Sequence, residues 1–174
     1  MSRGLDQEGA SYYFYNEIQL AKQIQQAFLP EHMPEIPGWD LGAKWRPARE
    51  VGGDFYDVFD LPGRKLGLLI ADVSDKGIPA ALFMALTRTV IRATVLNTDS
   101  PAKVIQRVNE LIVRDNREGM FVTAIYGVLS LDSGSMIYSN AGHNPPILIS
   151  PKSEVGGFLN RTGPAIGVIP DFVI

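Results

Sequence analysis

The 174-residue chain contains no cysteine. That rules out a thiol nucleophile, a disulfide framework and Cys-ligated zinc, and fits a reducing compartment. Histidine is nearly as scarce, with only His32 and His143, too few for a His-rich metal centre. Any metal must then be held mainly by oxygen, which points to magnesium, manganese or calcium. Positive charge is not in excess: the net charge is −3 and the pI about 5.4. No polycationic surface is on offer to nucleic acid or an anionic membrane, so neither is expected as a partner. A long uninterrupted apolar run is also missing. The most apolar stretch, "IPAALFMALTRTVI", is broken by Arg88, and the N-terminal "MSRGLDQEGASYYFY" lacks the basic-then-apolar pattern of a secretory signal. A cytoplasmic location is the expectation.

What the chain does have is 45% hydrophobic and 20% charged residues, enough for one ordinary domain with a buried core. Ile18, Ala21, Ile24 and Phe28 recur at helical spacing until Pro30, and Pro34 and Pro37 mark a linker after it. Residues 1–37 are therefore read as a helix plus linker and 38–174 as the main domain. "WDLGAKWRPA", "DFYDVFDLP" and "KLGLLIADV" read as strands, the last as one covered on both faces because its apolar run does not alternate. Pro79 opens a helix expected to be largely buried. Ser100 and Pro101 start a second helix with apolar Val104, Ile105, Val108, Leu111 and Ile112. "FVTAIYGVLSLDSGSMIYSN" reads as strand, Asp-Ser-Gly turn, strand, and "PPILIS" as one more short strand. The order indicates a mixed α/β domain with hairpins and not a βαβ dinucleotide fold. The final "PAIGVIPDFVI" is apolar with no closing element, so the domain is expected to be incomplete at its C-terminus.

Acidic residues gather in two places. "REVGGDFYDVFD" places Glu50, Asp54, Asp57 and Asp60 around two glycines, and "ADVSDKG" places Asp72 and Asp75 behind an apolar strand. The glycines let backbone approach closely before Asp54. A carboxylate at the end of an apolar strand is costly without a cation, so Asp54 and Asp72 on neighbouring strand ends are candidates to share a hard divalent ion. The plainer reading is a turn residue and a helix cap. Asp57, Asp60 and Asp75 are expected to be solvated or capping. His143 is expected to hold its own loop by ring hydrogen bonds, with general acid as the other reading. Arg49 is read as a surface residue, with a phosphate fork as the other reading.

"VGGDFYD", "LLIADVSDKGIPAALFMA", "FVTAIYGVL" and "YSNAGHNPP" occur in this order, from about Ala21 to the C-terminus. Together they resemble the metal-dependent, PPM-type protein serine/threonine phosphatases, in the bacterial SpoIIE/RsbU-like branch. The resemblance implies an α+β fold: two packed, mainly antiparallel β-sheets flanked by helices, an αββα sandwich. It implies that Asp54 and Asp72 are catalytic metal ligands, that the Val73 carbonyl is a further ligand, and that two Mn2+ or Mg2+ ions activate water for attack on phosphorus. The expected substrate is a phosphorylated STAS-type anti-sigma-factor antagonist in stress or developmental signalling. The N-terminal helix is a candidate homodimer element. The second motif departs from the usual Gly-His or Gly-Lys at Asp75 and Lys76. The family's later aspartates, one of them in a Thr-Asp-Gly-like motif, have no counterpart here, which keeps a second reading open: a regulatory or binding module with the phosphatase fold and no turnover.

Overall fold

The computed structural model describes residues 3–172 and 174. Met1 and Ser2, the first residues of the stretch read as lacking a signal, lie outside the described residues. Three helices precede or interrupt six strands: α1 Arg3–Phe28, β1 Phe55–Leu61, β2 Lys65–Val73, α2 Ile78–Val95, α3 Pro101–Asp115, β3 Val122–Ser130, β4 Met136–Ala141, β5 Ile147–Ile149 and β6 Val155–Phe158.

Both expected antiparallel sheets are present. The larger runs β1-β2-β3-β4, and β5-β6 forms a two-stranded ribbon. Pro62, Gly63 and Arg64 turn β1 into β2, with Gly63 at φ 76° supplying the left-handed conformation the turn needs. Phe55 pairs with Ala71 at one end of that hairpin and Leu61 with Lys65 at the other. The Asp-Ser-Gly turn closes β3 onto β4 as the sequence predicts, with Gly134 N–H donating to the Ser130 carbonyl at 2.9 Å.

One face of the large sheet carries the core. Phe55, Phe59, Leu69, Ala71, Val73, Ala124, Tyr126 and Val128 meet Met84 and Ile91 of α2 and Val104, Ile105, Val108 and Ile112 of α3. α3 starts as its sequence requires, Pro101 in the first turn and the Ser100 hydroxyl accepting from Lys103 N–H at 3.5 Å.

Several expectations are corrected. Residues 39–48, read as a strand, form none beyond an isolated bridge of Trp39 with Ile36: Gly42 and Pro47 interrupt the segment, and among the described residues the outer edge of β1 pairs with nothing else. β2 is not covered on both faces. Leu69, Ala71 and Val73 are buried, whereas Ile70 is 52% exposed and Asp72 is exposed, so the sheet has an open face. α2 buries only Ala80, Met84, Thr87, Ile91, Thr94 and Val95. Ile78, Leu82 and Leu86, four apart, lie along an exposed side of that helix. α2 is long and apolar enough to cross a membrane by length and composition, and here it lies against the sheet. α1 is longer than its stripe implied, and the stripe divides. Ile24 is exposed, Ile18 is half-buried, and Phe28 packs against the chain's own core. β6 was not foreseen, because "EVGGF" with two glycines carries little strand signal.

Candidate functional site

The site forms where β1 begins and β2 ends. Extending the β1–β2 register by one step beyond Phe55–Ala71 sets Asp54 opposite Asp72. Both side chains are exposed on the open face. Partial loss of water around Asp72, and the Asp54 carboxyl hydrogen-bonded and charged beside it, push the Asp72 carboxyl up to about 6. Like charges placed opposite each other destabilise a sheet. Among the described residues no cation is paired with either.

The glycines explain how the pair is brought together. A Cβ on Gly53 would come within 2.8 Å of the Val73 Cβ and 2.9 Å of the Val73 carbonyl oxygen. Only glycine lets this backbone lie against the end of β2. Val73 is buried, and its carbonyl belongs to the same corner as the two carboxylates. The Asp54 carbonyl accepts from Trp45 Nε1 at 2.8 Å, which ties the strandless 40–47 segment to the site.

Across the sheet the line continues. Asp72 pairs with Thr123 in the β2–β3 register. The Thr123 hydroxyl donates to the Asp72 carbonyl at 3.4 Å and shares a hydrogen bond with His143 Nδ1 at 2.9 Å. Burial lowers the His143 pKa, with the nearby Asp54 charge and Thr123 opposing that shift and Arg161 adding to it. His143 is also held by its backbone: its N–H donates to Asn140 Oδ1 at 2.8 Å, and its carbonyl accepts from Arg161 Nε at 3.3 Å. The ring and backbone contacts together tie the 140–143 turn to β3.

Asp54, Asp72 and His143 border a groove of about 870 Å³ on the open face, walled by Leu41, Trp45, Ile70, Tyr138 and Leu159. Arg49 is exposed, and its guanidinium lies beside Gly77, in the loop that leaves β2. Asp60 is exposed, and Asp75 is exposed with its carboxylate accepting from Lys76 N–H at 2.8 Å, both as expected.

Asp57 is the correction. It is not solvated: its side chain is 0% exposed and faces the helices. Arg92 Nε and Nη2 donate to its two oxygens at 2.6 Å each, and Arg88 Nε stands 3.1 Å away as a charge contact without hydrogen-bond alignment. The hydrogen bonds that Arg92 donates to Asp57 raise its pKa, whereas burial lowers that of Arg88. Sequence reading also missed Thr123, Trp45 and Gln25. Thr123 was legible only through its register with Asp72. Gln25 carried one signal, a polar residue between apolar helical positions.

The donor set at the corner suits a hard cation: two carboxylates, a carbonyl and free access for water. Among the described residues no three His, Asp or Glu side chains converge on one point, so water would fill most of the shell.

Comparison with known proteins agrees with this geometry. Residues 62–174 match the family model described as Stage II sporulation protein E (SpoIIE). Protein IcfG of Synechocystis is 34% identical over 89% of this chain and 28% of its own length. The phosphoserine phosphatase RsbU of Bacillus subtilis is 31% identical over 98% of this chain and 49% of its own. The chain thus spans less than half the length of these relatives. Among solved structures, the SiaA-PP2C domain of Pseudomonas aeruginosa superposes with a TM-score of 0.75 at 20% identity, over 91% of this chain and 64% of that one. That likeness shows a shared PP2C fold.

Proposed function

Because the chain belongs to the SpoIIE family, we propose that it is a metal-dependent protein phosphatase acting on phosphoserine or phosphothreonine of a protein. The observation that carries this reading is the pair of exposed, uncompensated carboxylates at the adjacent ends of β1 and β2. Asp54 and Asp72, with the Val73 carbonyl, are the proposed ligands of Mn2+ or Mg2+. When bound, such ions polarise phosphoryl oxygens and activate water. The carboxylates supply the negative charge that retains the cation. The groove beside them offers room for a polypeptide carrying the phosphorylated side chain. His143 and Thr123 keep the β3–β4 side of the site in place. Residues 38–174 are the proposed phosphatase domain, with 1–37 as the helix and linker that precede it.

The proposed substrate is a phosphorylated STAS-type anti-sigma-factor antagonist in bacterial stress or developmental signalling, in the cytoplasm. Support comes from the motif resemblance and from RsbU, which is named a phosphoserine phosphatase. A homodimer through α1 belongs to the same proposal, supported by exposed Leu20 and Ile24. Light scattering that finds only monomer at all practical concentrations would remove it.

The test is phosphate release from a phosphoserine-bearing STAS-type protein with Mn2+ present. Turnover by the wild type and none by Asp72→Asn is expected; equal turnover by both overturns the assignment. A second reading, a binding module with the phosphatase fold, draws on the lack of a third converging carboxylate or imidazole among the described residues. It predicts capture of the phosphoprotein without phosphate release.

A further inference from the structure

One amide of α1 points inward and reaches the site's supporting loop. Gln25 is 3% exposed, although Ile24 beside it is 51% exposed. Its Nε2 donates to the Gly52 carbonyl at 2.6 Å, and its Oε1 accepts from the Gly52 N–H at 3.0 Å. Gly52 precedes β1 and has no strand partner, so this side chain satisfies both of its backbone polar groups. A carboxamide suits the task because it carries a donor and an acceptor on one planar group. On the far side, Gly53 is wedged against Val73, and Asp54 follows directly. The Gly52-Gly53 step is therefore held between α1 and the end of β2.

The other ties from α1 are of different character. Lys22 and Gln19 both donate to the Glu50 carboxylate, at 2.8 and 3.4 Å, exposed contacts of small energetic weight. Phe28 lies 5.9 Å from the Arg88 guanidinium, which serves Asp57 on the opposite face of β1. None of these touches the backbone that sets Asp54.

We propose that Gln25 is a positioning residue for the carboxylate site. By fixing Gly52 it holds Asp54 against Asp72, so affinity for a divalent cation depends on this amide of α1. The inference rests on Asp54 and Asp72 being ion ligands. Gln25 itself touches neither ion nor substrate. Without it, two buried backbone groups lose their partners, and a Gly-Gly step is free enough to move toward water and regain them. That motion carries Asp54 with it while the core on the other face of β1 stays intact.

The experiment is a Mn2+ titration of the 174-residue chain, following paramagnetic broadening of the backbone amide signals around Asp54 and Asp72. Wild type, Gln25→Ala, Gln25→Met, Asp54→Asn and Val108→Ala are compared, each with a urea melt. Gln25→Met preserves length and removes both hydrogen bonds, which guards against collapse of the alanine variant. Val108→Ala is a core truncation in α3 that reports general loosening. Wild type should show selective broadening and Asp54→Asn none. The Gln25 variants should need about tenfold more Mn2+, as when a residue supporting a ligand is lost. Val108→Ala should titrate like wild type despite its lower stability. Folded Gln25 variants that titrate like wild type, with Asp54→Asn silent, overturn the role of Gln25 alone. So does a Val108→Ala shift as large as theirs. Wild type and Asp54→Asn behaving alike overturn the ion reading, and the inference with it.

Discussion

Asp54, one residue before β1, and Asp57, within it, stand three residues apart and have met opposite fates. Asp57, on the helix side, is fully buried and held by Arg92 through two hydrogen bonds, with Arg88 beside it. Asp54, at the strand's start and on the open side, faces another carboxylate. The alternation of a strand puts them on opposite faces, and the faces differ in what covers them. A buried carboxylate has been neutralised by the fold. The exposed pair has not, and that leftover charge is what a cation would use. Uncompensated like charge, and not acidity as such, separates the working face of β1 from its structural face.

The largest expected effect breaks the working face. Asp54→Asn or Asp72→Asn should lower Mn2+-dependent phosphatase activity at least about 1,000-fold, or ~4 kcal/mol of barrier, with the urea midpoint not reduced. An activity loss that tracks a loss of stability would make these residues structural instead.

Next comes the structural face. Asp57→Ala strands Arg88, whose side chain is only 13% exposed, and should cost about 3 kcal/mol in urea denaturation, as broken pairs with a buried carboxylate do. A near-neutral result would mean that Arg88 and Arg92 reach water without rearrangement.

pH sharpens the contrast in metal-free protein. The Asp72 carboxyl, raised to about 6, keeps its proton in the folded chain where an unfolded carboxyl near 4 has released it. The Asp72 contribution to stability should therefore be constant below about pH 4, fall as pH climbs to about 6, and level off above it. Asp72→Asn should abolish that decline. Melts at pH 4, 5, 6 and 7 decide it, and an identical decline in the variant would place the titrating group elsewhere.

The smallest effect belongs to His143. As a loop holder tied to Thr123 and Asn140, His143→Ala should cut activity by less than about tenfold, short of the range for a lost general acid. A collapse at unchanged stability would make it the leaving-group acid.

The working face was the more legible of the two. Asp54 behind two glycines and Asp72 behind an apolar strand are local patterns, and the glycines matter for the reason the pattern suggests: backbone lies against Val73. α3 was legible because four of its apolar positions line one buried face. The structural face was not, since Asp57 meets arginines 31 and 35 positions away that only the packing of α2 on β1 brings near. The apolar run of β2 reads the same whether one face is covered or two, so Ile70 was placed inside when it lies outside. Gln25 was passed over for a related reason: its partner is backbone, which leaves no residue type to recognise.

The most direct test of the account is calorimetric titration of Mn2+ into the metal-free chain at pH 7.5, comparing wild type, Asp72→Asn and Asp57→Asn. The account predicts binding heat in wild type, none in Asp72→Asn, and binding in Asp57→Asn whenever that variant remains folded. Equal binding in wild type and Asp72→Asn, or binding lost only with Asp57, would contradict it.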